Sequence, residues 1–235
     1  VYTIESEDNS LNGLSADAEN YLWFKGGKNK IYKFDGSSLK SYPLDPDLDD
    51  KDLRLVSLES DKEGGIWYSF YEFIQVVNDK YYGLYRMKDG EYQKWKLDNY
   101  SLYDTLITNI FCDSRGRIWF YSKGIWYIEN GVIGRLNPDI EEPYADAHFC
   151  EDEDGMVWIS VNNKIFKYDG KSCTELKPPY PHLPSPTIEN LAVNRDGSAF
   201  FLSYIDYHKK SSSTINQGYY VSNKGVLTEL RNDEF

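Results

Sequence analysis

The chain is short of the residues that most often carry covalent or metal chemistry. Its 235 residues include three cysteines (Cys112, Cys150, Cys173), three histidines (His148, His182, His208) and two methionines. The cysteines form no C-x-x-C pair and their odd number is no disulfide framework, so three free thiols are expected. No histidine stands in H-E-x-x-H or H-x-H spacing, so no metal site is expected. Neither a G-x-S-x-G elbow nor a Cys/His pairing points to nucleophilic catalysis. Basic charge is scarce as well, with 26 Lys and Arg against 38 Asp and Glu and a formal net charge of −12. Phosphate backbones and anionic membrane surfaces are bound by clustered Lys and Arg, so this balance argues against nucleic acid as a partner. The nearest basic run, "HKKSSS" (208–213), reads as a solvated loop. No apolar stretch approaches the ~18 residues of a membrane span, so no membrane insertion is expected. No segment repeats at helical period over a useful length, and no cofactor is expected.

Aromatic residues are abundant instead: 16% of the chain, with 21 Tyr, 11 Phe and 6 Trp. One Trp closes the stretch "CEDEDGMVW" (150–158), which looks like the start of a calcium loop. With Gly155 at the sixth position of such a loop, Cys150 would be the first ligand and Val161 the twelfth. A thiol and an isopropyl group cannot supply those oxygens. The stretch is one copy of a repeat. "DEDGMVWIS" (152–160) recurs as "DSRGRIWFY" (113–121), "DKEGGIWYS" (61–69), "DAENYLWFK" (17–25) and "NRDGSAFFL" (194–202). The aromatic falls at Trp23, Trp67, Trp119, Trp158 and Phe200, in steps of 44, 52, 39 and 42 residues, the blade period of a β-propeller.

The motif has the chemistry of a tight hairpin. Asp accepts backbone N–H groups, and Gly or Asn tolerates positive φ. The other carboxylates of "EDEDG", and Asp152 with them, are expected to point to solvent and cap the turn. The Trp that follows is expected to be buried between blades. Each block then shows a second hairpin signal: "IYKFDG" (31–36), "LYRMKDG" (84–90), "WYIENG" (126–131), "IFKYDG" (165–170) and "YYVSNKG" (219–225). With an outer strand after it and an inner strand before the Asp turn, each block holds four antiparallel strands. The expected fold is all-β, a single β-propeller domain over 1–235, with five blades at about 11–44, 53–97, 106–136, 147–176 and 188–230.

The pattern D-x-x-G-x-Φ-W, where Φ is aliphatic, followed by (I/L)-x-(K/R)-(Y/F)-(D/N)-G, resembles the two-component regulator propeller repeat from about Leu14 to Leu230. Block four, "DEDGMVWISVNNKIFKYDG", matches best and block three is close; the other blocks are degenerate. The Gly-Thr pair usual after the Trp strand is missing from every block. The resemblance implies a propeller, and a periplasmic or cell-surface setting in a sensor-type bacterial protein that responds to glycans. Fold alone does not fix function.

In a four-stranded meander the first and third turns share one edge of the blade, and the second turn and the blade-to-blade connection share the other. The first edge carries the uniform tight turns. The second carries all the length variation: 70–83 and 204–219 as second turns, and 45–52, 98–105, 137–148 and 177–187 as connections. Such concentration favours a binding surface there. Its Tyr residues offer flat rings with polar tips, suited to stacking on a sugar. Tyr81, Tyr82, Tyr144 and Tyr207 are the candidate ligand contacts, while any single ring is more readily a packing residue. The reading that follows is a non-catalytic module that recognises a glycan or small molecule. A protein-interaction scaffold is the alternative partner class. A five-bladed glycosidase or lyase is the second alternative, with Asp52, Asp104, Asp146 and Glu189 as its carboxylates at the start of inner strands.

Overall fold

The Asp-x-x-Gly turns form as the residue pattern requires. Gly64, Gly116 and Gly155 take φ of 81°, 79° and 72°, and Asn20 replaces Gly in the first block at φ 64°. The third turns use two devices. Asp89-Gly90 and Asn130-Gly131 have positive φ at both residues, which matches the twist of a two-residue hairpin. Asp35 and Asp169 instead accept the amides of the two or three residues after them, at 2.6–2.8 Å. Those amides and the Ser hydroxyls beside them hold both carboxyls below the ordinary carboxylate range.

A computed structural model describes residues 13–26, 29–48, 51–74, 80–95, 106–136, 147–161, 164–176, 187–194, 199–205, 215–221 and 227–230. For 187–190 and for the strands from 199 onward it describes the backbone alone. The first sheet holds β1 (Leu14–Ala16), β2 (Leu22–Lys25), β3 (Lys30–Phe34) and β4 (Leu39–Pro43). The second holds β5 (Leu53–Ser60), β6 (Ile66–Glu72), β7 (Lys80–Lys88) and β8 (Glu91–Lys94). The third holds β9 (Thr108–Cys112), β10 (Ile118–Tyr121), β11 (Ile125–Glu129) and β12 (Val132–Arg135). The fourth holds β13 (Ala147–Glu151), β14 (Val157–Val161), β15 (Lys164–Tyr168) and β16 (Cys173–Leu176). The fifth holds β17 (Thr187–Val193), β18 (Ala199–Ile205), β19 (Ile215–Val221) and β20 (Leu227–Leu230). Every sheet is an antiparallel meander in which chain neighbours pair. This is an all-β, propeller-type fold of five four-stranded blades.

By contacts the chain divides into two compact units. One contains sheets 1 to 3; the other contains sheets 4 and 5 together with the 113–115 turn. In the first unit, Trp23, Ile31 and Leu44 of the first block pack on Leu53, Leu55, Leu58, Tyr68 and Phe70 of the second. The opposite face of sheet 2 presents Trp67 and Leu84 to Ile107, Ile110, Ile118 and Phe120 of the third block. In the second unit Val157, Trp158, Ile159, Val161, Ile165 and Phe166 are buried. Trp23, Trp67, Trp119 and Trp158 are 5%, 4%, 0% and 1% exposed, as the repeat register requires. The Phe200 side chain and the stretch "VYTIE" lie outside what is described.

One expectation for the turns is overturned. Asp152 does not point to solvent: it is buried, while Glu153 and Asp154 are exposed. Its Oδ1 accepts the Met156 amide, and its Oδ2 accepts the Trp158 indole N–H at 2.8 Å. Asp17 and Asp61 bond Trp23 and Trp67 in the same way, each at 2.8 Å. The motif spaces Asp and Trp so that one carboxylate closes the turn and also satisfies the buried indole. A cation on the third strand, directly across from the Trp, compensates the charge. Lys33, Arg86 and Lys167 pair with Trp23, Trp67 and Trp158 and lie 3.7, 2.7 and 3.4 Å from the carboxylates. That explains the Lys/Arg position of the repeat. In the third sheet the position is Tyr127, and Arg117 lies over the Trp119 ring instead.

The thiols follow the expected phase. Cys150 is opposite Trp158, whereas Phe111, not Cys112, is opposite Trp119. None of the three cysteines is in a disulfide, and burial pushes the Cys150 and Cys173 thiols up to about 12 and about 11.

Candidate functional site

Sheet 2 has the longest strands of the first three, and its two edges differ. Measured from the paired Trp, β6 runs three residues further than β10, and β5 begins three residues earlier than β9. At about 3.3 Å per residue, sheet 2 extends roughly 10 Å past sheet 3 on the side of the long loops. Segment 70–83 was expected to be a loop. Its two ends are instead strand, because Tyr71, Glu72 and residues 80–83 continue the ladder. Two register shifts adjust the extension, one between Leu55 and Ser57 and one between Ser69 and Tyr71. Gly83 sits at the second with φ 82°, a position that a residue with a Cβ rarely adopts.

The shifts decide which side chains share a face. Arg54 pairs with Tyr71, and Tyr71 with Tyr81, giving a row across three strands. The row lies on the same face as Ser69 and Trp67, since side chains alternate along β6. Ser69 Oγ donates to the Ile107 carbonyl, so sheet 3 is engaged one step below Tyr71. The Tyr71 and Tyr81 rings are 5.8 Å apart. The Arg54 guanidinium lies 4.1 Å from the centre of the Phe73 ring, and Phe73 extends the ladder by donating its amide to the Asp52 carbonyl. Arg54 and Asp52 are 3.9 Å apart with side chains 40% and 33% exposed, a loose pair. Beside them Glu72 accepts the Tyr82 hydroxyl at 2.9 Å and lies 3.7 Å from Lys51.

The candidate residues are therefore placed as follows. Tyr81 stands half-buried in the row just described. Tyr82 is on the other face, 9% exposed, with its ring stacked 5.2 Å from Phe70 and its hydroxyl committed to Glu72. Tyr144 and Tyr207 lie outside the described residues. Of the four carboxylates weighed for an enzyme, Asp52 is at this edge. Asp104 and Asp146 lie outside the described residues, as does the side chain of Glu189. Among the described residues no group of three His, Cys, Asp or Glu could hold a metal ion. Nor, among them, is any helix long and apolar enough to cross a membrane.

A second acidic group lies at the opposite end of β5. Glu59 is opposite Trp67, the register that Ser15, Phe111, Cys150 and Ala192 hold in the other blocks. It is the one charged side chain of that set. Burial pushes its carboxyl up to about 7, against the pull of hydrogen bonds from the Ser15 hydroxyl and the Cys112 amide. Ser15 and Ser60 are bonded at 2.9 Å, so β1, β5 and β9 are tied together at this level.

Neither Arg54 nor Glu59 stood out in the sequence. The available signal was a charge near each end of one otherwise uncharged inner strand, "LRLVSLES".

No protein-family profile and no curated protein sequence matches the chain. Solved structures do. Virginiamycin B lyase from Staphylococcus aureus is similar over 98% of this chain and 72% of its own, with TM-score 0.69 and 20% identity. A streptogramin B lyase is similar over 98% of this chain and 85% of its own, with TM-score 0.56 and 15% identity. The extracellular domain of a hybrid two-component system from B. thetaiotaomicron is similar over 97% of this chain but 34% of its own, with TM-score 0.54 and 14% identity. At these identities the likeness establishes the fold, one shared by bacterial sensor and lyase domains. It also corrects a functional expectation. A non-catalytic, carbohydrate-binding sensor module was expected, and no enzyme. The more extensive matches are to two lyases, whereas the sensor domain aligns over a third of its length. The expectation had rested on the repeat resemblance, the aromatic loops and the lack of a catalytic motif, and in this chain the repeat residues build the Asp–Trp turn, which serves folding.

Proposed function

We propose that this chain is a lyase-type β-propeller enzyme whose substrate side is the long-loop edge. The observation that carries the reading is the fold likeness to virginiamycin B lyase across 98% of the chain. A lyase removes a proton with a base and expels a leaving group, forming a double bond without consuming water. Asp52, half-exposed at the start of β5, is the described carboxylate suited to take that proton. The adjacent Arg54 is suited to neutralise charge that develops beside it. The likeness to the two-component extracellular domain, with the repeat pattern, supports descent from a regulator-type propeller and a periplasmic or cell-surface setting.

The test is mass spectrometry of purified chain incubated with virginiamycin B and, separately, with acidic oligosaccharides. Elimination leaves the summed product mass equal to that of the substrate, whereas hydrolysis adds a water. Loss of an elimination product in Asp52→Asn supports the assignment. No product from any substrate, or products carrying an added water, would overturn the lyase reading.

A further inference from the structure

We propose that the row Arg54–Tyr71–Tyr81, with Phe73, is a subsite for a carboxylate-bearing pyranose, the hexuronate unit of an acidic oligosaccharide. The inference rests on the lyase reading in taking the long-loop edge of sheet 2 as the substrate side. Four observations meet here. The row stands on the part of sheet 2 that runs past sheet 3. Its one cation lies over the Phe73 ring, 4.1 Å from its centre, so part of its ordering cost is met before a ligand arrives. Its carboxylate partner is 3.9 Å away and the Arg54 side chain is 40% exposed, leaving donors for a second acid. Next to the cation are two half-buried Tyr rings 5.8 Å apart.

A guanidinium pairs a carboxylate through two parallel N–H bonds, and a ring face stacks on the C–H face of a sugar. A ligand that uses both must carry an acid on a ring of sugar size. The net charge of −12 sharpens the point: long-range attraction does not bring an anion here, so recognition depends on this local cation. Lys51 and Lys80 border the same edge, with Glu72 between them. Within the subsite an Arg54-bound carboxylate has its charge withdrawn from the neighbouring carbon. The proton on that carbon is then easier to remove, which is the step that elimination from a uronate requires. The C–H electron pair becomes the new C=C bond, the glycosidic oxygen leaves with the bonding pair, and a proton restores it to a hydroxyl.

The test is calorimetric titration of the intact chain with trigalacturonate and with its fully methyl-esterified form. The acid should bind and the ester should bind at least about tenfold more weakly, since the ester removes a charge-assisted bidentate pair. Arg54→Gln should lower affinity for the acid about tenfold and leave that for the ester unchanged. Tyr81→Ala should weaken both by several-fold. Thermal melting of each variant, matched to the parent chain, shows that the loss is local; Arg54→Lys serves if Arg54→Gln melts early. Equal affinity for acid and ester, or full affinity in Arg54→Gln, overturns the subsite. Binding of the acid with no elimination product from it or from virginiamycin B keeps the subsite and sinks the lyase reading. Elimination from virginiamycin B without acid binding does the reverse.

Discussion

The two edges of sheet 2 use the same residue types for opposite purposes. At the tight-turn edge Asp61 is buried and bonded to the Gly65 amide, the Trp67 indole and the Arg86 guanidinium at 2.7–2.8 Å. Burial works against its charge, yet these partners outweigh it and hold its carboxyl below the ordinary range. At the long-loop edge the side chains of Asp52 and Arg54 are about a third and more than a third exposed in turn, and 3.9 Å apart. An acid–base pair that is buried and fully bonded is committed to folding. Arg54, more exposed and 3.9 Å from its carboxylate, keeps bonding capacity for something else. The contrast is local, since one sheet carries both. The strictly repeated charges of the chain therefore report on stability, and the unrepeated ones are where chemistry should be sought.

The largest expected effect breaks the first edge. Trp119→Ala or Trp158→Ala should cost about 3–5 kcal/mol, because each removes a fully buried ring and leaves a cavity. Asp61→Ala should cost somewhat less, about 2–3 kcal/mol, by leaving the buried Trp67 indole and the Gly65 amide without an acceptor while Arg86 keeps only its exposed partner Glu63. Urea unfolding followed by Trp fluorescence measures both. If Asp61→Ala were as stable as the parent chain, the clamp would be decorative and the contrast between the edges would fail.

Glu59 gives the next effect, and it depends on pH. Its folded carboxyl holds a proton to about pH 7, above the ordinary value of 4.5. The folded state thus binds the proton more tightly than the unfolded chain does. That stabilisation is fully present below about pH 4.5 and is lost as pH rises through 7. Glu59→Gln should therefore be more stable than the parent above pH 7 by up to a few kcal/mol, with the difference shrinking toward pH 4.5. Melting temperatures across that range should converge at the acid end. A constant offset would show that Glu59 is ionised in the fold.

Tyr82→Phe removes the bond to Glu72 while keeping the stacked ring, so about 1 kcal/mol should be lost. The smallest expected effect is at the second edge. Arg54→Gln and Asp52→Asn should each change stability by less than about 0.5 kcal/mol, because exposed pairs contribute little. A loss of several kcal/mol in either would place this edge in the folding class and weaken its claim to function.

Periodicity by itself determined the blades, the Asp-x-x-Gly and Asp-Gly turns, and the burial of Trp23, Trp67, Trp119 and Trp158. Each of these follows from local backbone chemistry repeated at a fixed spacing, so one chain position implies the next. The phase of Cys112 and Cys150 could be read for the same reason. Tertiary structure alone decided the rest. The bond from Asp152 to the Trp158 indole needs the turn closed before the two side chains can meet. The partnership of Asp61 with Arg86 spans 25 residues and exists because strands β6 and β7 are paired. The two register shifts in sheet 2 assign Tyr82 to the core and Tyr81 to the row beside Arg54. A displacement of one residue reverses a side chain's face, and pairing, not composition, decides where that displacement falls.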